Sequence, residues 1–155
     1  MKPLAGMEPF YTRFPDLGWR ETRTMILPMP QDGIPAGEFG FIECYCNAPH
    51  CDCRRVLLQV RSKHAPQGVV ATINYGWESA DFYTRWMHGD AEAGREIAGA
   101  SLDPLNPNSE YAPALLGLFR ELLMTDKAYV ARLRRHYKMF RRSLAPDRPG
   151  GGGTA

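Results

Sequence analysis

All four cysteines of this 155-residue chain lie within one short run, Cys44-Tyr45-Cys46-Asn47-Ala48-Pro49-His50-Cys51-Asp52-Cys53. Ordinary packing would scatter them along the apolar segments. Two C-x-C pairs separated by four residues instead suggest thiolates gathered on a metal ion. Side chains alternate along a strand, so the two cysteines of each pair point the same way. Folding the chain back through residues 47–50 sets Cys46 opposite Cys51 and Cys44 opposite Cys53. Directly opposed Cβ atoms lie about 4.5–5.5 Å apart, which suits Zn–S bonds of about 2.3 Å once the ribbon twists. The expectation is one zinc ion per chain, held by Cys44, Cys46, Cys51 and Cys53 on one face of one hairpin. Four thiolates close a tetrahedral shell and leave no position for water or substrate, the mark of a structural site. Iron can substitute in the same soft ligand set. Disulfides would need an oxidising compartment, and neither the common iron–sulfur spacings nor a redox C-x-x-C occurs. Four thiolates on a divalent cation leave a formal charge of about −2. Arg54 and Arg55, which follow directly, are candidates to offset it.

A second candidate lies near the C-terminal end, where Arg132, Arg134, Arg135, Lys138, Arg141 and Arg142 project from one helical stretch. Residues 126–155 carry 8 Lys/Arg against 2 Asp/Glu, a balance of +6. Residues 1–125 carry 11 against 15, a balance of −4. Such asymmetry fits a basic helix docked on an acidic body. It also fits a surface for an anionic partner, protein or nucleic acid, made by Arg134, Arg135, Lys138, Arg141 and Arg142. No catalytic residue stands out: G-x-S-x-G, a phosphate loop, G-x-G-x-x-G and H-E-x-x-H are all missing. His50, His64, His88 and His136 are dispersed. His50 reads as an exposed turn residue, Glu43 and Glu78 as isolated surface carboxylates, and Trp77 as core. The chain therefore reads as a zinc-stabilised binding or adaptor domain rather than an enzyme. The alternatives are a small enzyme with a pocket between sheet and helices, or a thiolate-based metal or redox sensor.

The elements that must position these groups follow from periodicity. Residues 1–18, interrupted by Pro3, Pro9 and Pro15, are expected to form an irregular arm packing Phe10, Tyr11 and Phe14. Alternation predicts strands over 19–27, 38–46, 51–62 and 69–75, joined by short turns as an antiparallel meander. Ser79 is placed to cap a helix over 80–88 that Gly89 stops. A Gly-Pro-Asn-rich connector covers about 99–108. Ser109 is then expected to cap a helix over 110–124, and Asp126 a last one to about 144, with Tyr129, Val130, Leu133, Tyr137 and Phe140 on its core face. The fold expected is α+β, with a four-stranded, mainly antiparallel sheet and about three helices on one face. Residues 19–145 would be the single domain and 146–155 a disordered Gly/Pro tail.

At Phe41-Ile42-Glu43-Cys44-Tyr45-Cys46 and Cys51-Asp52-Cys53-Arg54-Arg55-Val56 the chain resembles a group of uncharacterised bacterial proteins. In that group a similar C-D-C-R-R-V segment precedes an aromatic G-W-E turn, here Tyr75-Gly76-Trp77-Glu78. An R-H-Y-K-x-F helix follows, here Arg135-His136-Tyr137-Lys138-Met139-Phe140. Some of those proteins carry a C-terminal SEC-C motif, a short cysteine-rich metal-binding segment, which has no counterpart after residue 144 here. The resemblance spans about residues 38–142 and implies a metal-binding domain with no assigned catalytic residue. No apolar run reaches the ~18 residues needed to span a membrane. Residues 1–8 also lack the apolar stretch of about 7–15 residues of a signal peptide. A cytoplasmic location with no membrane partner is the expectation. At 44% hydrophobic and 23% charged, the composition is that of a globular domain, not a disordered chain.

Overall fold

The computed structural model describes residues 6–63, 65 and 68–144. Residues 1–5, His64 and the tail at 146–155 lie outside the described residues. The chain runs β1 (Met7–Pro9), a 3-10 turn (Phe10–Thr12), α1 (Pro15–Arg20), β2 (Arg23–Leu27) and β3 (Gly37–Cys46). It continues through β4 (Arg55–Ser62), β5 (Val69–Gly76), α2 (Ala80–Trp86), α3 (Ala91–Ile97), β6 (Gly99–Leu102), α4 (Ala112–Thr125) and α5 (Lys127–Leu144). The α+β class and the antiparallel sheet are as expected. The sheet has six strands rather than four, in the order β1-β3-β4-β5-β6 with β2 also on β3. Five α-helices replace the expected three.

The added elements have local causes. Pro15 opens α1 with Asp16 in its first turn, so residues 15–20 are helical and β2 starts only at Arg23, not at 19. The expected irregular arm is thus a strand, a turn and a helix, with Phe10 in the core. Met7 pairs with Cys46 and Arg23 with Phe41, so β1 and β2 share one edge of β3. Within the expected connector, residues 99–102 add an edge strand that pairs Tyr75 with Ala100. Asp90 caps α3, accepting from the Ala93 N–H at 3.1 Å. Ser79 caps α2 and Asp126 caps α5 as expected. Ser109 does not cap α4: its hydroxyl is buried without a partner among the described residues, and Tyr111 holds the N-cap position.

Alternation along β3 decides where the core sits. Phe39, Phe41 and Tyr45 face one side with Val56, Leu58 and Val60 of β4, and all are buried. Phe119 of α4 lies 5.8 Å from Phe41, and Phe140 of α5 lies 5.7 Å from Tyr45, ring centre to ring centre. Helices α4 and α5 therefore close this face, and each fully buried side chain of that size contributes about 1.5–3 kcal/mol. On the opposite face Cys44 and Leu57 form a small cluster with Met7. No helix among the described residues is long and apolar enough to cross a membrane.

The α2–α3 pair meets at a glycine. A Cβ on Gly94 would stand 2.7 Å from the Thr84 nitrogen and 2.9 Å from the Ala80 oxygen. Gly94→Ala should therefore force the two helices apart and cost about 1–3 kcal/mol, read as a lower denaturation midpoint. An unchanged midpoint would mean that this crossing does not support the fold.

Candidate metal centre and cationic cleft

Residues 47–54 form the loop between β3 and β4, and its geometry differs from a simple hairpin. The ladder places Cys44 opposite Leu57 on one side and opposite Pro9 on the other. The expected pairing of Cys44 with Cys53 is therefore corrected, and β4 begins at Arg55 rather than at 51. Arg54 is the cause: its φ of 46° is left-handed and ends the extended run. Released from the ladder, Cys51 and Cys53 turn back toward Cys46. The sulfurs of Cys46, Cys51 and Cys53 all lie within 4.8 Å of one another. In a tetrahedral zinc–thiolate site sulfurs stand about 3.8 Å apart, as bonds of about 2.3 Å require, so three sulfurs gathered this closely are compatible with one shared ion. Cys44 is outside this group, buried at 1% exposure.

Electrostatics separates the cysteines in the same way. Burial, then the neighbouring Cys53 and Cys46, pushes the Cys51 thiol up to about 12. Burial also raises Cys53, against the pull of Arg55. Cys44 is pushed to about 12 by burial, and the charged groups acting on it are Arg61 and Glu43. A cation entering the three-sulfur cluster must displace thiol protons, so its affinity falls in acid.

The two arginines expected to offset the thiolates take different paths. Arg55 lies beside Cys53, and its Nε–H is buried without a partner among the described residues. Arg54 turns away, pairing with Asp52 at 2.9 Å and Glu78 at 3.0 Å while stacking over Phe82. Its backbone is clamped: the Tyr83 hydroxyl donates to the Arg54 carbonyl at 2.5 Å, and the Arg54 N–H donates to the Tyr137 oxygen at 3.1 Å. Tyr137 in turn donates to Asp52 at 3.1 Å, and Arg141 grips the Cys46 and Ala48 carbonyls, each at 2.9 Å. The cysteine loop is thus tied to α2 and α5 by groups that are not metal ligands.

These clamps also bring the two sequence candidates together. The cysteine loop and α5 enclose a cleft of about 640 Å³. His50, Cys51, Asp52 and Arg54 line one side, and Trp77 and Glu78 line the end. Arg134, Tyr137, Lys138, Arg141 and Arg142 line the α5 side. Arg134, Lys138 and Arg142 recur every fourth residue and make no ion pair or hydrogen bond among the described residues. Such spacing puts them on one stripe of the helix, about 6 Å apart. Arg141 is committed to the loop. Arg135 is not in the cleft: it pairs with Glu21 at 3.3 Å, and Arg132 donates to the Glu21 carbonyl. Trp77, expected as core, is half-buried against Tyr137 at the cleft, and Glu78 is the partner of Arg54. His50 is exposed as expected.

One cluster was missed altogether. His136, fully buried, places Nδ1 2.8 Å from Glu43 Oε1 and Nε2 2.7 Å from Glu21 Oε1. The Tyr45 hydroxyl donates to the same Glu43 oxygen at 2.6 Å, and Phe10 stacks on the imidazole at 4.2 Å. Parity held the signal, because Glu43 shares the inward phase of Phe41 and Tyr45 in β3. His136 likewise falls within the apolar stripe from Leu133 to Phe140. No family model, curated protein or solved structure matches this chain.

Two outcomes follow from the buried cluster. His136→Ala leaves buried Glu43 with only the Tyr45 hydroxyl as partner and should cost about 3 kcal/mol in denaturant unfolding. A loss below about 1 kcal/mol would show that the cluster does not hold α5. Acidification should also destabilise the fold. His136 holds the Glu21 carboxyl below its ordinary 4.5, and Arg54 chiefly holds Asp52 below its ordinary value. A lowered carboxylate stabilises above the unfolded value, and that share is lost as pH falls through the folded one. Unfolding free energy should therefore decline below about pH 4.5 and decline less steeply in Glu21→Gln.

Proposed function

We propose that this chain is a zinc-binding adaptor domain in which Cys46, Cys51 and Cys53 hold the metal and the adjoining cleft receives an acidic protein segment. One observation carries it: Cys51 of the three-sulfur cluster and the unpaired cationic stripe of α5 border the same cleft. Zinc is the metal because clustered soft thiolates suit it, with iron as the substitute. The metal braces one wall and the stripe attracts the partner. The resemblance to the SEC-C-bearing bacterial group agrees with metal binding and adds no partner. A short acidic segment is favoured over a nucleic acid strand by charge. Residues 1–125 carry a net −4, so a long polyanion leaving the cleft meets an acidic body.

Purified without added metal, the protein should carry one zinc per chain and show no visible absorbance. Chelation should lower the melting temperature and raise hydrogen exchange first in residues 46–54. A melt unaffected by chelation sinks the bracing role. An acidic hexaglutamate probe should bind with salt-dependent affinity that Lys138→Glu weakens about tenfold, roughly 1.4 kcal/mol. Arg135→Glu should leave that affinity unchanged. Tighter binding of an oligothymidylate than of hexaglutamate would assign the cleft to nucleic acid instead.

A further inference from the structure

We infer that the metal centre is a three-thiolate site whose fourth coordination position is completed by a thiolate from the acidic segment bound in the cleft. It rests on Cys46, Cys51 and Cys53 being the metal ligands, and it replaces the closed shell of four cysteines with an exchangeable one.

Zinc sites are four-coordinate, and a site with three protein ligands keeps one position for an outside donor. Among the described residues no fourth donor joins the cluster. Cys44 is two residues back along β3, packed with Met7 and Leu57; Cys46 touches that small cluster, but the Cys44 sulfur is not among the three gathered within 4.8 Å. Asp52 is adjacent in sequence, but its two oxygens already accept from Arg54 and Tyr137. His50 lines the cleft without entering the sulfur cluster. Cys51 belongs both to the cluster and to the cleft lining, so the open space meets the cluster on its Cys51 side.

The same space states what the donor is attached to. Three thiolates on a divalent cation leave a formal charge of about −1, and a soft donor suits such a centre better than a carboxylate or phosphate oxygen. Arg134, Lys138 and Arg142 span about 12 Å of helix, as 1.5 Å per residue requires. That length matches a few residues of extended chain at about 3.3 Å each, and 640 Å³ holds a ligand of that size. The ligand class is therefore an acidic peptide segment containing a cysteine. Coordination supplies the specificity that a bare cationic stripe lacks.

The test uses the full chain loaded with cobalt(II) in place of zinc, titrated with the capped peptide Glu-Glu-Cys-Glu-Glu and its serine counterpart. The cysteine peptide should raise the thiolate-to-cobalt charge-transfer absorbance by about one third, the step from three thiolates to four. The serine peptide should leave the band unchanged and bind at least about tenfold more weakly, a preference that disappears in metal-free protein. Cys44→Ser should leave the starting spectrum intact. A four-thiolate band before peptide is added, falling by about a quarter in Cys44→Ser, would overturn the inference. So would peptide uptake that appears only in His50→Ala, or equal affinity for the two peptides. Failure of the underlying metal assignment looks different: cobalt would not bind, or would bind equally to a folded Cys46→Ser variant.

Discussion

The imidazole of His136, held between carboxylates of α1's flank and β3, fixes the rotation of α5 about its own axis. A purely apolar stripe would tolerate some rolling of the helix on the sheet. Two hydrogen bonds between a buried ring and carboxylates do not, because a small rotation breaks them and strips Glu43 of a partner in a low-dielectric interior. Tyr45 adds a contact to the Leu133 carbonyl at 3.1 Å, on the same turn of the helix. With α5 so oriented, Tyr137 and Arg141 face the cysteine loop while Arg134, Lys138 and Arg142 face the cleft. The arrangement of the cleft is thus set from inside the core.

Much of this was legible in the chain. The cysteine string announces thiols gathered where they could hold an ion, and the core strands β3, β4 and β5 follow from alternation. The long helices follow from apolar stripes and from Asp126. What escaped has physical reasons. Short elements such as α1, α3 and β6 hold too few residues to show a period. The register of the cysteine loop depended on Arg54 adopting a left-handed backbone, which no strand pattern signals. The union of the cysteine loop with the α5 stripe joins residues more than 80 positions apart, through hydrogen bonds such as Arg54 to Tyr137. Glu43 and His136 were readable by phase, but charged residues are so often exposed that phase alone did not decide it.

The cysteine loop is organised without any help from a metal. Its turns are held by Tyr83, Tyr137 and Arg141, through backbone groups rather than through sulfur. A loop already ordered loses less conformational entropy when an ion arrives, so more of the bonding energy appears as affinity. The Arg54 side chain does a second job here, neutralising Asp52 and Glu78 so that the cleft's free charge is cationic.

The distribution of strand lengths has a consequence for the life of the protein in a crowded solution. The long strands β3, β4 and β5, of ten, eight and eight residues, all lie inside the sheet. Its rims are made of β1, β2 and β6, with three, five and four residues. Short rims offer little unpaired backbone for a neighbouring chain to extend. A sheet rimmed in this way is kept from recruiting copies of itself edge to edge.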